Sequence, residues 1–549
     1  MSQNDVDFAD VQGVVRFGYR KMTQAVYLLL RVRDAAAARA WLRSTPITNA
    51  VAVSPPPSTA LQIAFTAEGL AALGVPQSVI AGFSAEFLAG TTEPSRLRRL
   101  GDVGASAPSH WHWGASKERA PHLLLMLFAE PRDGGVASFE RRLTGATASL
   151  GVAVPANVNV PVSVSQSIEA ATAPAGVPTL TMAARAAAEI APAPVSSWVH
   201  AFEIVHRLET SDLDGVEPFG FTDGISQPEI DWEQDRAASQ AQLEYTNVVS
   251  LGEFLLGYRN EYGKFTDRPL LDADARSAGL LPAQEAPDKK DLGRNGTYLV
   301  MRQLQQDVRT FWRFVTQQSG GDAAKAESLA NAFVGRTRAG DPIVPRQSKP
   351  IPGVRPDQVG QNQFTFSSDA DGIRCPFGAH VRRANPRNAD LPRPSSGVAR
   401  LIAMLGLGTR GFRDDLISSV RFHRILRRGR EYGPELSPAE ALAPEPANEP
   451  ERGLHFICLN ANISRQFEFL QNAWIMNSKF NGMTGENDPL IGNREPTPGC
   501  PAADFNLPVE GGLRRRVSGL PQFVTVRGGA YFFLPSLRAL RFVAGMGGA

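Results

Sequence analysis

The 549-residue sequence has few cysteines, no long apolar run and almost no net charge. Its three cysteines, Cys375, Cys458 and Cys500, are widely separated and odd in number, which argues against a disulfide framework and is typical of a reducing compartment. No run reaches the roughly 18 apolar residues that a transmembrane helix needs, so we expect no membrane span. The 57 basic and 55 acidic residues leave a net charge of +2, which indicates neither nucleic acid nor a membrane surface as a partner.

The N-terminal sequence MSQNDVDFADVQG also lacks the basic region, the twin arginine and the apolar core of export signals. We therefore expect a cytoplasmic protein. What the chain does contain is an ordinary globular composition, with 43% apolar and 20% charged residues. This composition allows a large buried core.

A weak internal repeat organises the chain. Residues 25–42 and 296–315 share one pattern, in which an apolar strand beginning near a tyrosine is followed by an arginine and then by a helix that carries a tryptophan. Residues 121–143 and 453–474 each supply a further strand and helix. Two copies of this pattern predict an α+β fold made of a duplicated unit with antiparallel sheets.

The repeat predicts two halves, residues 1–245 and 246–549, with a long polar connector at 259–291. Residues 152–195 and 433–452 are rich in proline and lack clear periodicity, so we expect surface insertions there. In the helix predicted near 460–474, four residues fall on one face: Phe467, Leu470, Gln471 and Trp474.

The sequence GFTDG at 220–224 places an acid, Asp223, in a glycine turn. Glycines on either side allow a tight backbone and the close approach of a flat ligand, and Pro228 ends the segment. The functional interpretation is a carboxylate that faces a pocket as a general base. The alternative is a surface turn in which the side chain hydrogen-bonds its own backbone.

A histidine, His380, lies in the arginine-rich sequence CPFGAHVRRANPR at 375–387. The small residues Gly378 and Ala379 before it would let a large planar group come close. The arginines that follow, Arg382 first among them, would neutralise acidic groups at the edge of such a ligand. The alternative is a hydrogen-bonded structural histidine beside a solvated basic loop.

A cation, Arg427, follows the alternating sequence FHRIL at 422–426, which predicts a strand. Phe422, Arg424 and Leu426 would face one side of it, and His423, Ile425 and Arg427 the other. An arginine keeps its charge at any relevant pH, so Arg427 could act as a permanent cation near a metal. The alternative is an arginine at a strand end in water.

These three motifs, in this order, resemble those of the dye-decolourising-type haem peroxidases. Four further segments resemble the family as well: DVQGVVRFGY (10–19), GTYLVMRQLQQDV (296–308), GLHFICLNANISRQFEFLQNAW (453–474) and VTVRGGAYFFLPS (524–536). The insertions at 152–195 and 433–452 are similar to those of the larger, intracellular-looking subgroup. The resemblance implies two ferredoxin-like halves, with antiparallel sheets and packed helices, and a haem pocket in the C-terminal half. It implies one haem b per chain, held non-covalently because the sequence has no CxxCH.

The resemblance also implies a role for each site residue. Asp223 would be the acid–base residue, Arg427 would stabilise developing charge, and His380 would be the axial iron ligand. Further residues implied to contact the cofactor or its ligand are Gly224, Arg382, Leu454, Phe456 and Asp488, of which Leu454 and Phe456 form a distal wall and Asp488 hydrogen-bonds the iron-bound histidine.

The implied reaction is the reduction of hydrogen peroxide with one-electron oxidation of dyes, phenols or other organic donors. Because an aspartate stays ionised in acid, we expect activity at mildly acidic pH. A haem carrier with little turnover, or a haem-free binding protein on the same fold, remains the alternative; storage of haem needs neither Asp223 nor Arg427. The sequence leaves open the physiological reductant, any tryptophan or tyrosine that relays electrons, and homo-oligomerisation.

Overall fold

The computed structural model describes residues 6–116, 120–145, 195–211, 215–240, 243, 245–388, 420–483, 485–495 and 503–547. Apart from its last residue, the predicted insertion at 152–195 lies outside these ranges. None of the helices in the described ranges is long and apolar enough to cross a membrane.

The main sheet has nine strands: β1 (Gln24–Val32), β2 (Thr59–Phe65), β3 (Leu123–Ala129), β4 (Phe202–Glu209), β5 (Thr297–Gln306), β6 (Leu426–Arg427), β7 (Arg430–Tyr432), β8 (Gly453–Asn460) and β9 (Val524–Leu534). Three short two-stranded ladders pair Glu229–Asp231 with Val248–Ser250, Leu270–Asp272 with Lys289–Asp291, and Asp504–Leu507 with Arg515–Ser518.

Six helices are used below: α1 (Ala35–Ser44), α2 (Gly135–Thr144), α3 (Val308–Gln318), α4 (Ala323–Val334), α5 (His380–Ala384) and α6 (Leu537–Ala544). Further helices span Gly13–Arg16, Ala67–Ala72, Gln77–Ile80, Ala85–Ala89, Pro94–Leu100, Val195–Ala201, Arg236–Ser239, Val359–Asn362 and Pro438–Leu442. Two π-helical stretches, Ser464–Glu468 and Leu470–Ile475, follow β8.

The strand order is β6-β8-β5-β9-β2-β3-β1-β4, with β7 also pairing to β8 as a continuation of β6 after two residues. The first half reads strand, helix, strand, strand, helix, strand in the spatial order β2-β3-β1-β4. The second half repeats this order as β6/β7-β8-β5-β9, and every ladder of the sheet is antiparallel. The predicted duplicated ferredoxin-like fold is therefore confirmed.

The two half-sheets join edge to edge. Strands β9 and β2 pair only at Phe533 and Phe65, and both side chains are fully buried. The sheet therefore runs from one half into the other through a single residue pair, with β4 as its last strand on one side.

Burial on both faces explains why the strands read as continuous apolar runs. In β1, Val26, Leu28 and Leu30 join the core beneath α1, α2 and α6, whereas Ala25, Tyr27 and Leu29 join a second core on the opposite face. A strand covered on both faces loses the alternation of apolar and polar residues. Every residue of β3 is buried for the same reason.

The helix predicted at the end of 453–474 is present, but it is wound as a π-helix. Its backbone bonds include Glu468 N–H to the carbonyl of Ile463 and Met476 N–H to the carbonyl of Gln471, five residues apart. The four residues predicted to share a face, Phe467, Leu470, Gln471 and Trp474, are all buried. The sequence therefore located this helix without indicating how it is wound.

The predicted polar connector at 259–291 is a folded segment. Leu270–Asp272 and Lys289–Asp291 pair as antiparallel strands, and the buried Arg268 donates to Asp291 and Glu285. The segment at 433–452 is largely exposed, as predicted, yet it contains the helix Pro438–Leu442. This helix begins with a capping box at Ser437, and Arg309 of α3 donates to three carbonyls at its C-terminal end, those of Glu440, Ala441 and Ala443.

Candidate active site

A cavity lined by residues of both halves brings together the three residues that carried the sequence motifs. It lies against one face of β5, β8 and β9, and is closed by α5, the π-helical stretches and the segment around 217–226. Asp223, His380 and Arg427 all line it, although more than two hundred residues separate the first from the last. Residues far apart in sequence therefore meet in one place.

The turn that carries Asp223 is set by glycines. Gly220 and Gly224 have φ values of +93° and +72°, a left-handed region that L-residues with a Cβ rarely adopt. The backbone N–H of Asp223 donates to the carbonyl of Gly215 at 2.8 Å, and its Oδ1 accepts from the N–H of Gly224 at 2.6 Å. The side chain thus makes the local backbone bond of the alternative interpretation, and still lines the cavity.

Arg427 lies directly against this carboxylate. Its Nη1 is 2.7 Å from Asp223 Oδ1, and its backbone N–H donates to the side chain of Gln227 at 3.0 Å. Burial raises the pKa of Asp223, but the positive charge of Arg427, the Gly224 amide and the more distant His380 outweigh it and lower the pKa below its ordinary value. Asp223 is therefore an ionised hydrogen-bond acceptor at neutral pH and in mild acid.

The strand predicted to begin at residue 422 is shorter than expected. Val420–His423 forms a 3₁₀ turn, and the strand β6 contains only Leu426 and Arg427. His423, Arg424 and Ile425 all line the cavity, so the predicted alternation of faces is wrong for Arg424. The physical reason is that the buried Arg424 donates to the Tyr245 hydroxyl and to Asn247, contacts that a regular strand would not allow.

His380 begins α5 on the other side of the cavity. Its Nδ1 is 2.8 Å from Oδ2 of Asp488, a fully buried carboxylate whose Oδ1 accepts from the N–H groups of Leu490 and Ile491 at 2.9 and 3.0 Å. The second ring nitrogen, Nε2, makes no hydrogen bond within the described ranges. The side chain is 28% exposed and lines the cavity, so Nε2 is available to a ligand there.

His380 and Asp488 shift each other's pKa through their contact. Burial would lower the pKa of the histidine, but the carboxylate beside it raises that pKa above the ordinary value. Burial would raise the pKa of Asp488, but His380 and the Ile491 amide lower it. An ionised Asp488 therefore accepts a hydrogen bond from Nδ1–H and fixes the orientation of the ring.

Leu454 and Phe456, alternate residues of β8, form an apolar wall beside Asp223 and Arg427. The same two residues, with Asp223, Gly224 and Arg427, also line a second and more polar cavity. That cavity is further lined by residues Gly18, Arg20, Thr23, Ser211, Gln227, Arg428 and Arg430. The contact between Asp223 and Arg427 therefore stands between the main cavity and a polar recess.

Arg382 does not belong to the cavity, which corrects its prediction as a cofactor contact. Its guanidinium is 1% exposed and donates to Asp369 Oδ2 at 3.0 Å and to the carbonyls of Cys375 and Asp369. Arg383 and Arg387 likewise donate to buried backbone carbonyls. These arginines bind the loops around α5 together, because a helix of five residues cannot fix those loops by itself.

Three polar groups in the cavity wall are not predicted by any sequence motif. Arg336 follows α4 and donates to the carbonyls of Gly340 and Gln361; burial lowers its pKa to about 9. Glu217 accepts from Gln306 and from the amides of Phe219 and Phe221, and burial raises its pKa to about 7. The third group is a buried ion pair between Arg302 and Asp102. No sequence signal set these residues apart, because each became a cavity residue only through its neighbours.

The chemistry of this donor set suits a metal macrocycle. Within the described ranges, no group of three or more histidine, cysteine, aspartate or glutamate side chains is arranged to hold a metal ion. A single available imidazole, His380, can hold a metal when the remaining ligands come from the bound group itself. The apolar wall of Leu454 and Phe456, which line the same cavity as that imidazole, fits a flat ring such as haem.

Comparison with known proteins finds several dye peroxidases that are similar to this chain. The chain is 32% identical over 367 residues to the dye-decolorizing peroxidase msp1 of Mycetinis scorodonius, an alignment that covers 62% of this chain and 60% of that protein. It is 31% identical to the multifunctional dye peroxidase DyP2 of an Amycolatopsis strain, over 61% of this chain and 62% of that one. It is 28% identical to a dye-decolorizing peroxidase of Exidia glandulosa over 97% of this chain and 86% of that one. No model of a protein family matches the chain.

Solved structures share the whole architecture. A fungal DyP-type peroxidase from Auricularia auricula-judae superposes with a TM-score of 0.65 at 24% identity, covering 98% of this chain and all of that one. A dye-decolorizing peroxidase in complex with 2,6-dimethoxyphenol gives a TM-score of 0.64 at 22% identity over the same coverage. At these identities the likeness establishes the fold.

Proposed function

We propose that the chain is a haem peroxidase of the dye-decolourising type, which reduces hydrogen peroxide and oxidises organic donors one electron at a time. The observation that carries the proposal is the 2.7 Å contact between Asp223 and Arg427 in a cavity that His380 faces from the other side. A protein that only stores haem needs neither of these charged groups.

When bound, haem b would supply an iron centre that exchanges electrons with peroxide. His380 Nε2 would hold this iron, and Asp488 would fix the orientation of the imidazole. A carboxylate on the far nitrogen of a metal-bound histidine strengthens electron donation by the imidazole and favours higher oxidation states. Leu454 and Phe456 would exclude water from the part of the cavity beside Asp223 and Arg427.

Asp223 is the base of the proposed reaction. As a carboxylate it takes a proton from one oxygen of hydrogen peroxide and returns it to the other, which then leaves as water. Its lowered pKa keeps it ready to accept a proton in mild acid. A positioned acid–base group of this kind contributes about 10²–10⁴ in rate.

Arg427 stabilises the negative charge that develops as the O–O bond breaks. Its guanidinium is a cation whose Nη1 lies 2.7 Å from Asp223 at the wall of the cavity. One well-placed donor of this kind contributes about 3 kcal/mol. The same guanidinium also holds Asp223 in its ionised form, so the two residues act as a unit.

The donors proposed for this chain are dyes and phenols. The support comes from relatives whose names describe activity on dyes and from a related structure that contains 2,6-dimethoxyphenol. Donors that cannot enter the cavity would need a route for electrons through the protein.

The test uses the haem-loaded chain, hydrogen peroxide and a reducing dye. We expect turnover in the wild type, and in Asp223→Asn a fall of about 10²–10⁴ in kcat/KM for peroxide, with haem still bound. His380→Ala should lose the spectrum of a histidine-ligated haem. A wild-type chain that binds haem but leaves peroxide unreduced would be a carrier, and the proposal would be wrong.

A further inference from the structure

A buried tyrosine lies beside the main cavity with a carboxylate on its hydroxyl group. Tyr531 of β9 is 2% exposed, and its hydroxyl donates to Glu468 Oε1 at 2.9 Å. Glu468 is also 2% exposed, and its other oxygen is paired with Arg96. Arg99, which is half exposed, lies 3.6 Å from that same oxygen and connects the group to the surface.

The tyrosine is close to the proposed haem position. Strand pairing places Gly529 opposite Arg302, which lines the cavity, and Tyr531 follows two residues later on the same face, about 7 Å along the strand. The ring of Phe467, another cavity residue, is 6.4 Å from the Tyr531 ring and 6.1 Å from that of Phe456. Packed aromatic rings thus connect the cavity wall to the phenol.

Oxidation of a phenol requires a place for its proton. Burial, together with the charge of Glu468, raises the pKa of Tyr531 well above its ordinary value, so the ring keeps its proton at all physiological pH values. An electron can therefore leave only if the proton leaves with it. The carboxylate at 2.9 Å is an acceptor already in place.

Each of the other buried tyrosines in the described ranges lacks either a carboxylate that accepts from its hydroxyl or a position on the cavity face of the sheet. The hydroxyl of Tyr27 has no hydrogen-bond partner within the described ranges, that of Tyr258 donates to the amide oxygen of Asn295, and that of Tyr298 donates to the carbonyl of Asp267. Tyr245 accepts from Arg424, so its neighbour is a cation and not a base. Tyr432 does donate to a carboxylate, Glu451, but it lies on the opposite face of the sheet from Leu454 and Phe456.

We propose that Tyr531 is a redox-active residue that holds an oxidising equivalent as a neutral tyrosyl radical. Hydrogen peroxide would first oxidise the bound haem. One electron would then pass from the Tyr531 ring to the oxidised haem. The phenolic O–H bond breaks, and the proton forms a new O–H bond on Glu468 Oε1. An electron from an organic donor and the return of that proton restore the phenol. The inference rests on the proposed function, since the oxidant is peroxide acting through the bound haem.

The test is electron paramagnetic resonance of the haem-loaded chain, frozen shortly after mixing with hydrogen peroxide. We expect a tyrosyl signal in the wild type that is lost in Tyr531→Phe and kept in Tyr27→Phe and in Tyr432→Phe. Tyr432→Phe is the matched control, because it removes a carboxylate-bonded tyrosine from the far face of the sheet. A signal that persists in Tyr531→Phe overturns the proposal.

A second variant tests the proton acceptor. Glu468→Gln keeps the phenol and removes the base, so we expect its tyrosyl signal to be lost, and its persistence also overturns the proposal. Wild-type protein grown with ring-deuterated tyrosine must show a narrowed signal and coupling to one exchangeable proton. This measurement needs no substitution and therefore does not depend on the folding of a variant.

The haem absorption of the same samples separates this inference from the proposed function. If peroxide leaves the haem spectrum unchanged, the peroxidase proposal is wrong and the tyrosyl proposal is overturned with it. If the haem spectrum changes but no radical depends on Tyr531, only the tyrosyl proposal is overturned.

Discussion

Asp488 is held by backbone amides and not by another charged side chain. Its Oδ1 accepts from Leu490 and Ile491, which leaves Oδ2 for His380. A carboxylate fixed in this way can accept only from the side chain that it faces. The sequence supplied the identities of His380 and Asp488 through motif resemblance, but the two amides that orient the acid were not visible in it.

Replacing Asp488 with asparagine should weaken haem binding without removing the axial imidazole. Loss of such a partner typically costs about 10–100-fold in metal affinity or activity. The rate of haem transfer to an excess of a haem-scavenging protein measures the effect. Asp357→Asn, an exposed carboxylate paired only with exposed Arg355, is the control and should bind haem as the wild type does.

The lowered pKa of Asp223 predicts the pH dependence of peroxide reduction. A base with a depressed pKa is ionised above that pKa, so kcat/KM for peroxide should hold as the pH falls from 7 towards about 4, the ordinary carboxyl range. It should fall only below that range, where the carboxylate takes up a proton. A loss of activity already complete near pH 6 would contradict Asp223 as the base, and rapid mixing at each pH measures it.

Arg382 should matter for stability and not for haem. Its guanidinium pairs with Asp369 at 3.0 Å in a nearly dry environment, and removing one partner of a buried pair costs about 3–5 kcal/mol. We expect Arg382→Met to lower the free energy of unfolding of the haem-free chain by that order. Haem affinity in the folded variant should stay unchanged; a selective loss of haem would restore the original prediction for this residue.

Some helices and strands follow from the local sequence, whereas others depend on tertiary contacts. The strands and long helices follow from apolar runs and caps, such as Asp307, whose side chain accepts from the third residue of α3. The π-helical winding after β8 and the shortness of strand β6 do not follow from the local sequence, because both depend on contacts with distant residues. Gln466, for example, donates to the carbonyls of Glu253 and Arg424. Sequence periodicity carries no record of such partners.

The helix Pro438–Leu442 depends on Arg309. This guanidinium donates to three carbonyls at the end of the helix. The Arg309→Ala substitution removes these hydrogen bonds, so the helix Pro438–Leu442 should open more often. We expect faster amide hydrogen exchange across 438–443 and a loss of about 1.5–3 kcal/mol, the range for hydrogen bonds to a charged group. Lys325→Ala, which removes an exposed pair with Asp322, should leave exchange in this segment unchanged.

At the scale of the whole molecule, the duplicated order of strands was predictable and the join between the halves was not. The repeat in the sequence records two similar units, but the pairing of Phe533 with Phe65 is a contact between residues 468 positions apart (533 − 65). The cavity was predictable as a meeting of three motifs. Its wall of Arg336, Glu217 and Arg302 was not, since these residues are ordinary in sequence.

The join predicts that the two halves unfold together. Phe65 and Phe533 are fully buried in a core that contains residues of both halves, so Phe65→Ala should lower the free energy of unfolding by about 3–5 kcal/mol. Circular dichroism and tryptophan fluorescence should report one coincident transition in urea for the haem-free chain. Two separated transitions would show that the halves are independent.

Among the residues that the structure describes, no strand pairs with the outer side of β4, the last strand of the sheet. Exposed edges of this kind are places where protein chains stick to one another. Here the strand carries Glu203, Arg207 and Glu209, and Arg207 is bonded to Glu140 of α2. A second chain that paired with β4 would have to desolvate these charged side chains. Their presence on the outermost strand therefore disfavours self-association.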